Sequence, residues 1–197
     1  DRQAEWENRY QSGQTGWDRG KVSPSLLAFL EQGHLRPCRI VVPGCGRGYE
    51  VALLAEQGFQ VTAVDIAPSA VAAVRGLLAQ HGLMATILRT DLLEWTPDSP
   101  FDAIYEQTSL CALPPETWEN YADRLRQWLI PGGQLFALFM QTHRPGGPPF
   151  HCAIDDMQRL FPFSHWSWPE TAPMRVEHPN GLYELGYRLR RNDTLEI

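Results

Sequence analysis

The chain has 197 residues, 43% hydrophobic and 20% charged, which suits one good core and not two. Its formal net charge of -6 at pH 7 supplies no basic stripe for phosphate backbones or anionic lipid, so nucleic acid is excluded as an expected partner. Apolar runs of about eight residues fall short of the roughly 20 that cross a bilayer, and no charged-then-apolar leader opens the chain. The expectation is a single domain over residues 1–197, cytoplasmic and monomeric, with no membrane partner. Cys38, Cys45, Cys111 and Cys152 show no CxxC pair and no disulfide framework, which reads as reduced thiols.

In chain order, the segment from Asp1 to Tyr10 is polar, with Trp6 and Tyr10 one helical turn apart. It gives way to a Gly-rich stretch, Gln11 to Gly20. A helix is expected from Ser23 as cap, with Pro24 in the first turn where a missing amide costs nothing. Arg39 to Val42 is a β-branched run ended by Pro43-Gly44, and a helical pattern follows in Glu50, Val51, Leu54 and Ala55. Gln60 to Val64 predicts a second strand ending at Asp65, Ser69 to Gln80 a helix, and Ala85 to Leu88 a short third strand. Phe101 to Tyr105 predicts the fourth, and Glu116 to Trp128 a helix broken by Pro131-Gly132-Gly133 before a fifth strand, Gln134 to Met140. A helix at Ile154 to Leu160 and a hairpin close the chain. The hairpin pairs Met174–His178 with Tyr183–Arg190 and turns at Asn180-Gly181. Alternating strands and helices argue for βαβ units: a Rossmann-like α/β fold with a mostly parallel, seven-stranded sheet and a C-terminal antiparallel hairpin.

The chemistry concentrates in the strand ends. Pro43-Gly44-Cys45-Gly46-Arg47-Gly48 stands where a strand hands over to a helix, so backbone without Cβ atoms can approach a ligand. Asp65 follows about 20 residues on, where a carboxylate accepts from both ribose hydroxyls of an adenosine group. Thr90-Asp91-Leu92 after the third strand suits an adenine pocket, Asp91 taking the exocyclic amine and Leu92 covering the ring. Glu106 places a carboxylate at the carboxyl end of the fourth strand, where open α/β folds bind ligands. His143, His151, His165 and His178 have no ligand spacing, so no metal is expected. The apolar cluster Phe161, Phe163, Trp166 and Trp168 reads as packing of the last helix on the sheet.

Taken together, Glu5-Trp6, Gly16-Trp17-Asp18, VVPGCGRGYEV, FDAIYEQTSLCAL and Pro145-Gly146-Gly147-Pro148-Pro149-Phe150 resemble the thiopurine S-methyltransferase superfamily, closest to its thiol and halide branch. Leu129-Ile130-Pro131-Gly132-Gly133 resembles the helix stop of class I methyltransferases. The resemblance implies S-adenosylmethionine as cofactor, leaving as S-adenosylhomocysteine. It implies cofactor contacts from Trp6, Tyr10, Trp17, Gly44, Gly46, Asp65, Asp91, Leu92 and Gln107, with residues 1–22 as a segment covering the cofactor. Tyr10 stands where plant relatives carry Trp. Gly44 and Gln107 depart from the Leu and Arg of thiopurine-type enzymes, which points away from aromatic thiopurines.

The expected reaction moves a methyl group to a small soft nucleophile, a thiol or hydrosulfide, with halide ions as further acceptors. In-line displacement needs alignment and desolvation more than acid-base help, so no catalytic residue is required. Tyr10, Glu106, Arg144 and Phe150 are the acceptor-side candidates. The alternatives are O- or N-methylation of a small molecule, which would need a general base, and a cofactor-binding module without activity.

Overall fold

The computed structural model describes residues 1–192; the last five residues of the expected single domain, 193–197, lie outside them. Two compact units make up the chain, one spanning Asp1–Trp95 and the other beginning at Thr96.

The first unit opens with α1 (Arg2–Gln11), capped by Asp1, and α2 (Pro24–Glu31), capped by Ser23. The Ser23 side chain accepts from the Ser25 N–H and Pro24 occupies the first turn, as the sequence predicts. Strands β1 (Arg39–Pro43), β2 (Gln60–Asp65) and β3 (Thr86–Arg89) pair in parallel in the order β3-β2-β1. Their crossovers are α3 (Tyr49–Glu56) and α4 (Pro68–His81). Ile40, Val41, Leu54, Val64 and Val74 are buried, and α3 approaches α4 so closely that a Cβ on Gly48 would stand 2.6 Å from Val74 Cγ2. Only glycine fits there, at φ 84°. By contrast α1 has no buried residue, so little apolar burial holds it.

In the second unit β4 (Phe101–Gln107) pairs in parallel with β5 (Leu129–Gln141), and α5 (Trp118–Trp128) links them. Pro131-Gly132-Gly133 does not end an element as expected. Register jumps from Phe101↔Leu129 to Ala103↔Gln134, so these residues are accommodated as a bulge within β5. Gly132 takes φ 78°, and a Cβ on Gly133 would meet the Ile130 carbonyl at 2.9 Å. After α6 (Ile154–Leu160) come β6 (Trp166–Ser167), β7 (Met174–Glu177) and β8 (Tyr183–Arg191). β8 runs antiparallel to β5, β6 and β7. The expected hairpin is present, but it turns through a 3-10 turn, Pro179–Gly181, closed by the His178 N–H on the Leu182 carbonyl at 2.8 Å. β6, too short for a period-2 signal, is the strand the sequence does not announce.

Phe161, Trp166 and Trp168 of the aromatic cluster pack as expected, and Phe163 does not. Phe161 and Trp166 are buried edge to face at 5.6 Å, and Phe139 stacks on Trp168 at 6.0 Å. Phe163 remains 62% exposed. Among the described residues no helix is long and apolar enough to cross a membrane.

Candidate functional site

In the first unit the Gly-rich turn is bound into the sheet. The Cys45 N–H donates to the Val64 carbonyl at 3.1 Å and the Gly46 N–H to Asp65 Oδ2 at 3.0 Å. Asp65 Oδ1 accepts from the Ala67 N–H at 2.9 Å. The expected ribose carboxylate therefore also braces the turn. Its pKa is raised by burial, against these main-chain hydrogen bonds, which oppose the rise. Ile66 adds a third main-chain hydrogen bond, and a carboxylate has about four acceptor positions, so not all of them are taken. Gly44 and Gly46 take φ 59° and 56°, and a Cβ on Gly46 would stand 3.4 Å from the Tyr10 hydroxyl.

That contact shows where α1 lies: over the turn. Trp17 meets Trp6 and Tyr10 edge to face, each at 5.5 Å between ring centroids, so the three aromatic residues singled out by the sequence converge. Partial burial first, then the Asp65 charge, raises the pKa of Tyr10, which stays a neutral phenol. Arg9 lies 5.1 Å over Trp6 and Arg47 5.7 Å over Tyr10. Polar contacts hold the segment: Arg2 pairs with Asp91, and Asp18 pairs with Arg47 at 2.6 Å. Glu7 accepts from the Ser69 main-chain N–H at 2.9 Å and from the Ser69 hydroxyl at 2.6 Å. Asp91 Oδ1 accepts from the Leu93 N–H, so both oxygens of the expected adenine contact carry protein partners. Leu92 is buried beside it. Sequence reasoning missed Arg2 and Glu7 and gave Asp18 only within the Gly16-Trp17-Asp18 motif; a carboxylate at the start of α4 is favourable in itself, but nothing local signals that Glu7 supplies it.

In the second unit the acceptor-side candidates separate. Glu106 is a correction. It is 2% exposed, with Oε1 accepting from the Leu110 N–H at 2.7 Å and the Tyr121 hydroxyl at 3.2 Å, so it faces α5 and the protein interior. Strand alternation sends its neighbour the other way. Burial pushes the Glu106 carboxyl up to about 7, while the Leu110 and Tyr121 hydrogen bonds hold it back. Its Oε2 has no hydrogen-bond partner among the described residues.

Gln107 donates to both oxygens of buried Glu184, at 3.2 and 3.0 Å, and accepts from the Tyr105 hydroxyl at 2.8 Å. His178 closes on the same carboxylate. The Gln107 amide is therefore turned to β8, where it braces the end of β4. Phe150 lies against Gly147, where a Cβ would come 2.7 Å from its ring, and its N–H donates to the Cys111 carbonyl at 2.7 Å. The Gly-Gly-Pro-Pro-aromatic pattern is thus a packing requirement as well as a motif. Arg144 is exposed just beyond β5.

Backbone strain marks the same strand ends. Thr108 (φ 62°), one residue past β4, and His143 (φ 49°), two past β5, are the non-glycine residues with positive φ among those described. Such conformations cost of order 1–3 kcal/mol and collect at functional sites, and open α/β sheets bind ligands at their carboxyl ends.

A Gly-rich turn bound to the carboxylate ending β2, parallel strands and an antiparallel closing hairpin define a class I methyltransferase fold. An N1-methyltransferase of Burkholderia thailandensis, solved with S-adenosylhomocysteine, shares it at TM-score 0.78 and 22% identity, over 97% of this chain and 87% of that one. The family profile described as "Thiopurine S-methyltransferase (TPMT)" matches residues 1–173, and the chain belongs to that family. Among curated relatives, the "Probable thiol methyltransferase 2" of Arabidopsis thaliana is 33% identical over 158 residues, 79% of this chain and 70% of the relative. The "Thiopurine S-methyltransferase" of Pseudomonas putida is 29% identical over 94% of this chain and 98% of its own length. The chain is an S-adenosylmethionine-dependent methyltransferase.

Proposed function

We propose that the chain methylates a small thiol or hydrosulfide, with halide ions as poorer acceptors, as one domain acting as a monomer in the cytoplasm. The observation that carries the thiol reading is the 33% identity to a relative named as a thiol methyltransferase. The neutral Gln107, turned to Glu184 and Tyr105, supports small acceptors over thiopurines, since this position offers no guanidinium to hold a bulky anionic heterocycle.

Bound S-adenosylmethionine supplies an electrophilic methyl group on a sulfonium. Asp65 and the Cβ-free approach at Gly44 and Gly46 would hold its ribose and amino-acid parts. Trp6, Tyr10 and Trp17 would cover the cationic sulfur and keep water out. Leu92 would cover the adenine, and Asp91 would accept from its amine in exchange for Arg2. Loss of hydration at the nucleophile favours soft anions over chloride and alkoxides. A panel of hydrosulfide, a small thiol, iodide, bromide, chloride and a thiopurine under saturating cofactor tests this. The expected order of kcat/KM is thiol or hydrosulfide, iodide, then bromide and chloride, with the thiopurine poor. Efficient thiopurine turnover, or methylation of an alcohol without thiol activity, would overturn the reading.

A further inference from the structure

Two guanidinium groups lie over the aromatic residues that converge on the Gly-rich turn, and each is matched by a carboxylate. Arg9, 5.1 Å over Trp6, pairs with Glu5 at 3.5 Å, and Arg47, 5.7 Å over Tyr10, pairs with Asp18 at 2.6 Å. The second pair is the more sheltered, with the Asp18 side chain 16% exposed against 52% for Glu5, so water screens it less. Asp18 also shapes the chain around it. Its N–H closes a turn on the Thr15 carbonyl at 2.9 Å, its Oδ1 accepts from the Gly20 N–H at 2.7 Å, and its Oδ2 takes the Arg47 Nε. Trp17 rides on that turn and meets Tyr10, whose hydroxyl accepts from the Trp17 indole, a group able only to donate. Asp18, Arg47, Tyr10 and Trp17 thus form a closed ring of contacts, with Arg47 contributed by the Gly-rich turn itself.

Arg47 lies over a ring that would help to cover a cationic sulfur. With its charge unmatched, a guanidinium there would compete for the π face and repel a second positive charge. A carboxylate 2.6 Å away offsets most of that field while keeping the arginine in place. We propose that Asp18 is a positioning residue for the cofactor: it docks Trp17 on Tyr10 through Arg47 and neutralises Arg47, so that the aromatic cover accepts the sulfonium. This rests on the reading above that Trp6, Tyr10 and Trp17 cover the cofactor.

Calorimetry with two cofactor analogues tests it: S-adenosylhomocysteine, neutral at sulfur, and sinefungin, which carries an ammonium group in place of the sulfonium methyl. Asp18→Asn leaves the Arg47 charge unmatched and is expected to weaken sinefungin at least about threefold more than S-adenosylhomocysteine. Arg47→Gln leaves the Asp18 carboxylate and is expected to shift the same ratio the other way, toward sinefungin. The double variant, with neither charge, is expected to return the ratio to within about twofold of wild type. Glu50 and Arg19, which share the surroundings of Asp18, are the same in every variant. A merely structural pair would weaken both ligands alike; an unmoved ratio, or one that moves the same way in both single variants, overturns the proposal. If Asp18→Asn fails to fold, Arg47→Gln decides by itself, since a ratio that does not rise toward sinefungin overturns it. Trp17→Ala separates the two readings. Weaker binding of both analogues there, with unmoved ratios in the charge variants, overturns the charge pairing alone, whereas unchanged binding overturns the aromatic cover and the proposal with it.

Discussion

Replacing Glu106 with Gln tests the interior placement of this carboxylate. In the wild type its carboxyl is raised from 4.5 to about 7, chiefly by burial. The folded state therefore binds a proton that the unfolded state has released between pH 4.5 and 7. Stability is greatest below that window, falls as pH rises through it, and is level above about 7. At 1.36 kcal/mol for each tenfold change in proton affinity, the loss is about 3 kcal/mol. Glu106→Gln keeps an oxygen for the Leu110 N–H and the Tyr121 hydroxyl but cannot ionise. Urea unfolding of both proteins at half-unit steps from pH 4.5 to 8.5 gives the difference curve, in which other titrating groups cancel. That difference is expected to change by about 3 kcal/mol in favour of the Gln variant across the window. A flat difference would refute the raised carboxyl and its cause. The same variant addresses chemistry: a methyl-transfer rate near wild type fits a group facing α5, whereas a large rate loss with unchanged cofactor affinity would favour general-base O- or N-methylation.

Asp65→Asn is expected to weaken S-adenosylhomocysteine binding by about 1.5–3 kcal/mol in calorimetric titration. It is also expected to lower stability, since an amide NH2 cannot accept from Gly46 or Ala67; unchanged affinity would remove Asp65 from the site. Hydrogen exchange over residues 1–22 is expected to slow on adding S-adenosylhomocysteine, because α1 is held by polar contacts without buried residues. Equal exchange with and without ligand would mean the segment is no lid. Gly147→Ala, whose Cβ would meet the Phe150 ring at 2.7 Å, is expected to cost about 1–3 kcal/mol in thermal or urea unfolding. Gly146→Ala, with open space but φ 73°, carries the backbone strain alone, so an equal cost at the two positions would argue against the ring contact.

Local rules account for much that the sequence made legible. Ser23-Pro24 starts a helix, β-branched runs make β1 and β2, and the glycines between Gly44 and Gly48 demand a turn, because each depends on neighbours only a few residues away. The convergence of Trp6, Tyr10 and Trp17 was legible through family resemblance. Tertiary structure decided where polar side chains spend their hydrogen bonds. Gln107 finds Glu184 77 positions on, and Arg2 finds Asp91 89 positions on; no spacing signal spans such distances. Alternation along β4 turned Glu106 into the interior although its position in the chain marked it as a strand-end carboxylate. Pro131-Gly132-Gly133 reads as a break until β4 shows it to be a bulge, and His151 Nδ1 accepts from the Thr142 and His143 main-chain N–H groups only because the chain returns to the end of β5. Sequence sets what each residue is able to do, and the partner that satisfies a buried donor or acceptor is chosen by packing, since leaving it unpaired costs about 1–3 kcal/mol.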